Sequence, residues 1–126
     1  MLGDKDAIAT LGVKDLEAAR SFYEGKLGLK SAGGPDEPGT LAYKSRSSSI
    51  LVYESQYAGT NKATAVTWIV GDVDGAVQAL KAKGVSFEHY DDLPDTRLEG
   101  DVHVSGDMRV AWLKDPDGNI HALVSG

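Results

Sequence analysis

Thr10-Leu11-Gly12-Val13-Lys14-Asp15-Leu16 leads into a helical stretch that closes on Lys26-Leu27-Gly28-Leu29. Beginning 57 residues later, Thr67-Trp68-Ile69-Val70-Gly71-Asp72-Val73 leads into another, which closes on Ala82-Lys83-Gly84-Val85. Each copy passes from an apolar-rich strand through an aspartate into an amphipathic helix, a glycine stop and a second apolar strand. Self-similarity at such a spacing marks one supersecondary unit used twice. Two copies build a pseudo-symmetric shell, and the surface between the halves is the place for a ligand.

Outward from the repeat, residues 8–14 alternate as a strand, with Ala9, Leu11 and Val13 on one face and Ile8, Thr10 and Gly12 on the other. Asp15 is placed to cap the next helix, because its carboxylate can accept orphan backbone N–H groups. Leu16, Ala19, Phe22, Tyr23 and Leu27 make that helix's apolar stripe, and Gly28 ends it in the left-handed conformation. Residues 33–39, rich in glycine and proline, read as a loop. Residues 41–44 and 49–54 read as a hairpin joined through Ser45-Arg46-Ser47-Ser48. Module one therefore runs from about 6 to 56, a linker from 57 to 64, and module two from about 65 to 126.

Module two repeats the order: a strand over 65–71, a helix over 74–83 and a strand over 85–90. An acidic, irregular excursion follows over 91–106, with a short strand at Val102-His103-Val104. A last hairpin of 108–114 and 119–124 turns through Asp115-Pro116-Asp117-Gly118. The expected architecture is a one-domain α+β fold of two βαβββ modules.

Bulk properties narrow the function. The chain has 126 residues, 41% hydrophobic and 25% charged, which suits one soluble globular domain. A net charge of −6 leaves no basic patch for nucleic acid. The absence of cysteine excludes disulfides, thiolate nucleophiles and Cys-ligated metals. No apolar signal core or membrane-length run is found, so a cytoplasmic protein with no membrane partner is expected.

Val13-Lys14-Asp15-Leu16, Phe22-Tyr23 with Leu27-Gly28-Leu29, and Ala111-Trp112-Leu113-Lys114-Asp115-Pro116-Asp117-Gly118-Asn119 together resemble the vicinal oxygen chelate superfamily, the glyoxalase/bleomycin-resistance/dioxygenase group. The resemblance covers almost the whole chain. It implies a curved eight-stranded cup with the helices outside, and commonly a homodimer. In metalloenzyme members a divalent ion sits at the centre of the cup, held by residues on the first and last strand of each module. Carried over, those positions are Ile8, about Val52, Ala65 and Ala122, with a two-residue slip of the alignment in the hairpin able to bring Glu54 to the second. None of the four has a donor atom, and one carboxylate does not make a site. The expectation is no metal and no cofactor.

Strand parity assigns Ile8, Thr10, Gly12, Val52, Glu54, Ala65, Thr67, Ile69, Trp112, Ala122 and Val124 to the cup face. Such a lining suits a flat, largely apolar ligand. Trp112 is a stacking platform or a core filler. Glu54 is a ligand contact or general base, or else a solvated rim carboxylate. His121 has the opposite parity and points toward the helices. His89 and His103 lie in or beside the excursion, and the three histidines read as surface or boundary residues. Of them His103 is best placed to reach a ligand, and Tyr90 and Arg109 are further rim candidates, each more readily read as a structural residue. The expected ligand set is thus Thr10, Val52, Glu54, Thr67, Ile69, Tyr90, His103, Trp112 and Ala122.

Three functions compete. The first is a metal-independent binding protein for an apolar or aromatic small molecule. The second is a lyase, isomerase or dioxygenase-type enzyme of the same superfamily, through displaced ligands or Glu54 as base. The third is a regulatory or interaction module with a vestigial pocket.

Overall fold

A computed structural model describes residues 1–33 and 37–126, so part of the expected 33–39 loop lies outside the described residues. After a single 3-10 turn at Leu2–Asp4, module one contains β1 (Ala9–Val13), α1 (Leu16–Arg20), β2 (Lys30–Ser31), β3 (Thr40–Ser45) and β4 (Ser48–Glu54). The α1 helix continues as a wider π-helical segment over Ser21–Lys26. Module two contains β5 (Thr64–Ile69), α2 (Val73–Lys81), β6 (Phe87–Glu88), β7 (Arg97–Glu99), β8 (Val102–Ser105), β9 (Met108–Lys114) and β10 (Ile120–Val124).

The repeat seen in the sequence is a repeat of topology. In each half the first strand pairs in parallel with the last, β1 with β4 and β5 with β10, and the last pairs antiparallel with the strand before it. Both helices begin the same way. The Asp15 carboxylate accepts from the Glu17 N–H at 2.9 Å, and the Asp72 carboxylate from the Gly75 N–H at 3.0 Å. Each helical stretch then ends near a glycine with positive φ, 73° at Gly28 and 87° at Gly84, a region L-residues avoid.

The sheets differ from eight strands in one cup. One has four strands in the order β1-β4-β3-β2. The other has six, ordered β5-β10-β9-β8-β7, with β6 also on β9. The two extra strands come from the excursion, expected as irregular with one strand and found as the hairpin β7–β8. Its Arg97, Leu98 and Glu99 pair with Val104, His103 and Val102. The sheets touch where β1 runs beside β5.

Helix α1 packs on β3 and β4, and α2 on β8, β9 and β10. One core joins them: Leu11, Val13, Tyr23, Tyr43, Ile50 and Val52 from the first half, with Val73, Val77, Ala111, Leu113 and Leu123 from the second. The sheet sides turned away from the helices stay open. Alternation decides which residues those sides carry.

The two halves are locked by the turn between β9 and β10. The buried Asp115 carboxylate accepts four hydrogen bonds, from the Asp117 and Asn119 N–H groups, the Asn119 side-chain amide and the Tyr23 hydroxyl at 2.8 Å. Asn119 spends its other amide hydrogen on the Gly12 carbonyl of β1, also at 2.8 Å. The turn of module two thereby holds the helix and first strand of module one. Tyr23→Phe leaves a buried carboxylate short of one donor, which costs about 1–3 kcal/mol. The urea midpoint should fall accordingly with the far-UV spectrum unchanged, and an unchanged midpoint would mean that the hydroxyl contributes nothing.

Candidate ligand site

The open side of the second sheet is built around Trp112. Its neighbours Ala111 and Leu113 on β9 are buried against α2 and the core, so alternation turns Trp112, with Val110 and Lys114, to the open side. Across the strands Trp112 faces Ala122 of β10 and Glu88 of β6. Its indole N–H donates to the Thr64 hydroxyl at 3.2 Å, fixing the ring. Tyr90 and His103 close on it as edge-on partners, with ring centroids 5.2 and 4.9 Å away, and lie 5.9 Å from each other. Thr67 and Ile69 of β5 lie beside Ala122 and Val124 of β10 and extend this surface as a largely apolar strip.

His103 is nearly fully buried. Its Nε2 accepts the Tyr90 backbone N–H at 2.9 Å, so in the neutral ring the proton sits on Nδ1. Nδ1 has no hydrogen-bond partner in good geometry. Desolvation pulls its pKa below the ordinary value. The Val110 backbone works against that, His89 adds to it, and Asp91 opposes it. His89 is turned outward, with Nε2 2.7 Å from Asp101, which also takes the Lys81 ammonium at 2.8 Å. The Lys81 hydrogen bond, followed by that of His89, holds the Asp101 carboxyl below the usual carboxylate range. Lys114 and Glu88 form a rim ion pair at 3.3 Å.

Of the residues singled out in the sequence, Tyr90, His103 and Trp112 come together, and Thr67, Ile69 and Ala122 share their sheet side. Thr10 is on the open side of the other sheet, where its hydroxyl donates to the Ile8 carbonyl. Val52 is a correction. It is fully buried opposite Leu11 and Leu41, in the core rather than on the cup face. Glu54 shares its parity. It lies at the exposed end of β4, opposite Val13 and beside Lys14, Ser55 and Gln56, away from Trp112.

The slip has a local cause. The hairpin turns on Arg46 and Ser47 alone, with Arg46 at φ 54° and Ser45 paired to Ser48. That register brings Leu51 and Tyr53 to the open side instead. The run Ile50-Leu51-Val52-Tyr53 is apolar throughout and carries no parity of its own. For Arg109 the structural alternative to a rim contact is the one found. Arg109 shares the helix-side parity of Ala111 and grips Asp74 with two hydrogen bonds at 2.9 and 3.0 Å. Thr64, Glu88 and Val110 escaped the sequence reading because no pattern marks a cross-strand neighbour.

His121 is a further correction to the boundary placement expected of the histidines, for it is fully buried on the helix side. The Trp68 indole can only donate, and does so to Nδ1 at 3.0 Å, so the neutral ring carries its proton on Nε2, 3.0 Å from the Tyr23 hydroxyl. Burial pushes its pKa from 6.5 to about 4, with Asp115 opposing. The unfolded chain takes up this proton below pH 6.5 and the folded chain does not. Stability is therefore intact above that pH, declines as pH falls from 6.5 toward 4, and is level with respect to this group below. At about 1.4 kcal/mol per unit, the loss is on the order of 3 kcal/mol. Urea melts of the protein and of His121→Gln across this range should differ in slope by about one proton. Parallel slopes would refute the assignment.

Comparison with known proteins bears on this geometry. The model of the Glyoxalase/Bleomycin resistance protein/Dioxygenase superfamily matches residues 7–122. The chain belongs to that superfamily. A search of curated proteins finds no match. Among solved structures, the chain is similar to TnmS3, an antibiotic binding protein from Streptomyces sp. CB03234. Identity is 20% and TM-score 0.69, over 98% of this chain and 96% of that one. It is also similar to a glyoxalase family protein from Enterococcus faecalis, at 17% identity and TM-score 0.72 over 98% and 99% of the two chains. Another, from Bacillus anthracis, has 19% identity and TM-score 0.67 over 96% and 93%. At these identities the likeness establishes the fold.

The metal that some superfamily members use does not fit the residues present. Ile8, Ala65 and Ala122 offer no donor atom, and the register around Val52 brings in only Leu51 or Tyr53. Among the described residues no group of three or more His, Cys, Asp or Glu side chains is arranged to hold an ion. Nor, among them, is any helix long and apolar enough to cross a membrane.

Proposed function

We propose that this protein binds a flat, largely apolar or aromatic small molecule without a metal, against Trp112 on the open side of the second sheet. The observation that carries this reading is the Trp112 ring, fixed by Thr64 and flanked edge-on by Tyr90 and His103, beside the strip of Val110, Ala122 and Val124. An apolar floor with few polar points favours aromatic over hydrophilic ligands. The antibiotic binding of TnmS3, on the same fold, is in keeping with it. A divalent ion over Ile8, Ala65 and Ala122 would lose water and gain no ligand. The cytoplasmic setting rests on the sequence argument.

Thermal-shift screening of aromatic natural products and antibiotics tests this reading. A ligand that raises the melting temperature should bind Trp112→Ala roughly tenfold or more weakly, since stacking and burial of the ring are both lost. Chelator should leave the melting temperature unchanged, and elemental analysis should find no stoichiometric transition metal. One tightly held ion per chain, or ligands indifferent to Trp112→Ala, would overturn the reading.

The functional unit we propose is a homodimer. Ile8, Tyr53, Ile69, Leu98 and Met108 are exposed, Ile69 by 77%, and by parity all project from the open sides of the two sheets. Apolar surface concentrated in this way is what a second copy covers. Light scattering at tens of micromolar should give twice the chain mass, and Ile69→Asp should lower it toward one chain with the fold kept. A monomer mass for the unaltered protein would refute pairing.

A further inference from the structure

On the opposite side of the second sheet, at the seam between the two modules, lies a cavity of about 250 Å³ that the open-face reading does not use. The end of the first helical stretch supplies Leu27 and Leu29, α2 supplies Ala76, Ala79 and Leu80, and Trp68 of β5 forms a wall, with Leu113 and Leu123 of the sheet behind. We propose that this seam is a second binding site, for a compact, uncharged, apolar molecule about the size of a bicyclic hydrocarbon.

Three observations define that ligand. Every lining side chain is apolar except Trp68, and its one polar atom is already committed to His121 Nδ1 at 3.0 Å. A hydroxyl or charge on the ligand would lose water and find no side-chain partner. Second, the wall is preformed. The indole is held by that hydrogen bond and lies nearly parallel to the imidazole, 19° between planes, so binding orders little. Third, the space arises from residue size. The α2 helix presents alanine at 76 and 79 toward Leu27 and Leu29, and a larger side chain at either position would fill the seam. An apolar cavity of about 150 Å³ accommodates benzene, so about 250 Å³ accommodates a second ring.

The chain has two tryptophans, one for each site. Trp112→Ala leaves Trp68 as the sole indole and removes the aromatic platform of the open-face site, so failure here is separable from failure there. With indane as probe, Trp68 emission should shift saturably and the melting temperature should rise. 5-Hydroxyindane should bind at least tenfold more weakly. Ala79→Leu, at the exposed mouth, should abolish the response, and Ala76→Leu provides the same test from within should the first variant fold poorly. The proposal falls if indane gives no saturable response up to its solubility limit, or if the response survives both leucine variants. It also falls if Ala79→Leu changes the mass of the protein in solution, which would make the seam a protein contact instead.

Discussion

The Asp115 carboxylate is the point on which both halves of the molecule turn. A buried carboxylate is expensive unless its lone pairs are filled, and here two backbone N–H groups, an amide and a phenol fill them. Three of those donors, the two N–H groups and the Asn119 amide, belong to the turn itself and shape it. The Tyr23 hydroxyl comes from the other module, 92 residues away in the chain. Through it the chain of contacts continues to His121 and then to Trp68 on β5. Asn119 completes the lock by reaching the backbone of β1. The burial of this polar line between the modules is tolerable because each member's direction of donation follows from its neighbour's.

That lock has consequences on both sides of the sheets. Toward the helices it fixes His121 and, through His121, the plane of Trp68, which becomes a rigid wall of the seam between α2 and the end of the first helical stretch. Away from the helices it sets β10 beside β5, so that Ala122 and Val124 line up with Thr67 and Ile69. The two tryptophans thus serve opposite faces. Trp68 is tied inward to a histidine that stays neutral, and Trp112 is tied by Thr64 in a surface that faces out.

The parity of β4 shows how a local rule can be right and its application miss. Alternation holds throughout that strand, but a two-residue turn and an unbroken apolar run left its phase open, and pairing with β1 and β3 settled it. The excursion after residue 90 misled for a related reason. Its acidic composition reads as irregular, yet Arg97–Glu99 gains a partner in Val102–Ser105, which itself pairs with β9. The pairing that makes this strand is supplied by the sheet.

The sequence by itself determined the duplication, the order of strands and helices outside the excursion after residue 90, the aspartate caps, the glycine stops and the Asp115 turn. Each of these is written in a periodicity or a backbone preference that acts within a few residues. It also determined that Ile8, Ala65 and Ala122 have no atoms with which to hold a metal. Only the tertiary structure decided that Val52 lies inside while Leu51 and Tyr53 lie out, that Tyr90 and His103 bracket Trp112, that His121 is buried in a fixed tautomer, and that alanines on α2 leave a seam unfilled. Those outcomes depend on which surfaces meet across distances of tens of residues, and a hydrogen bond or a cavity of that kind exists only once both sides are in place.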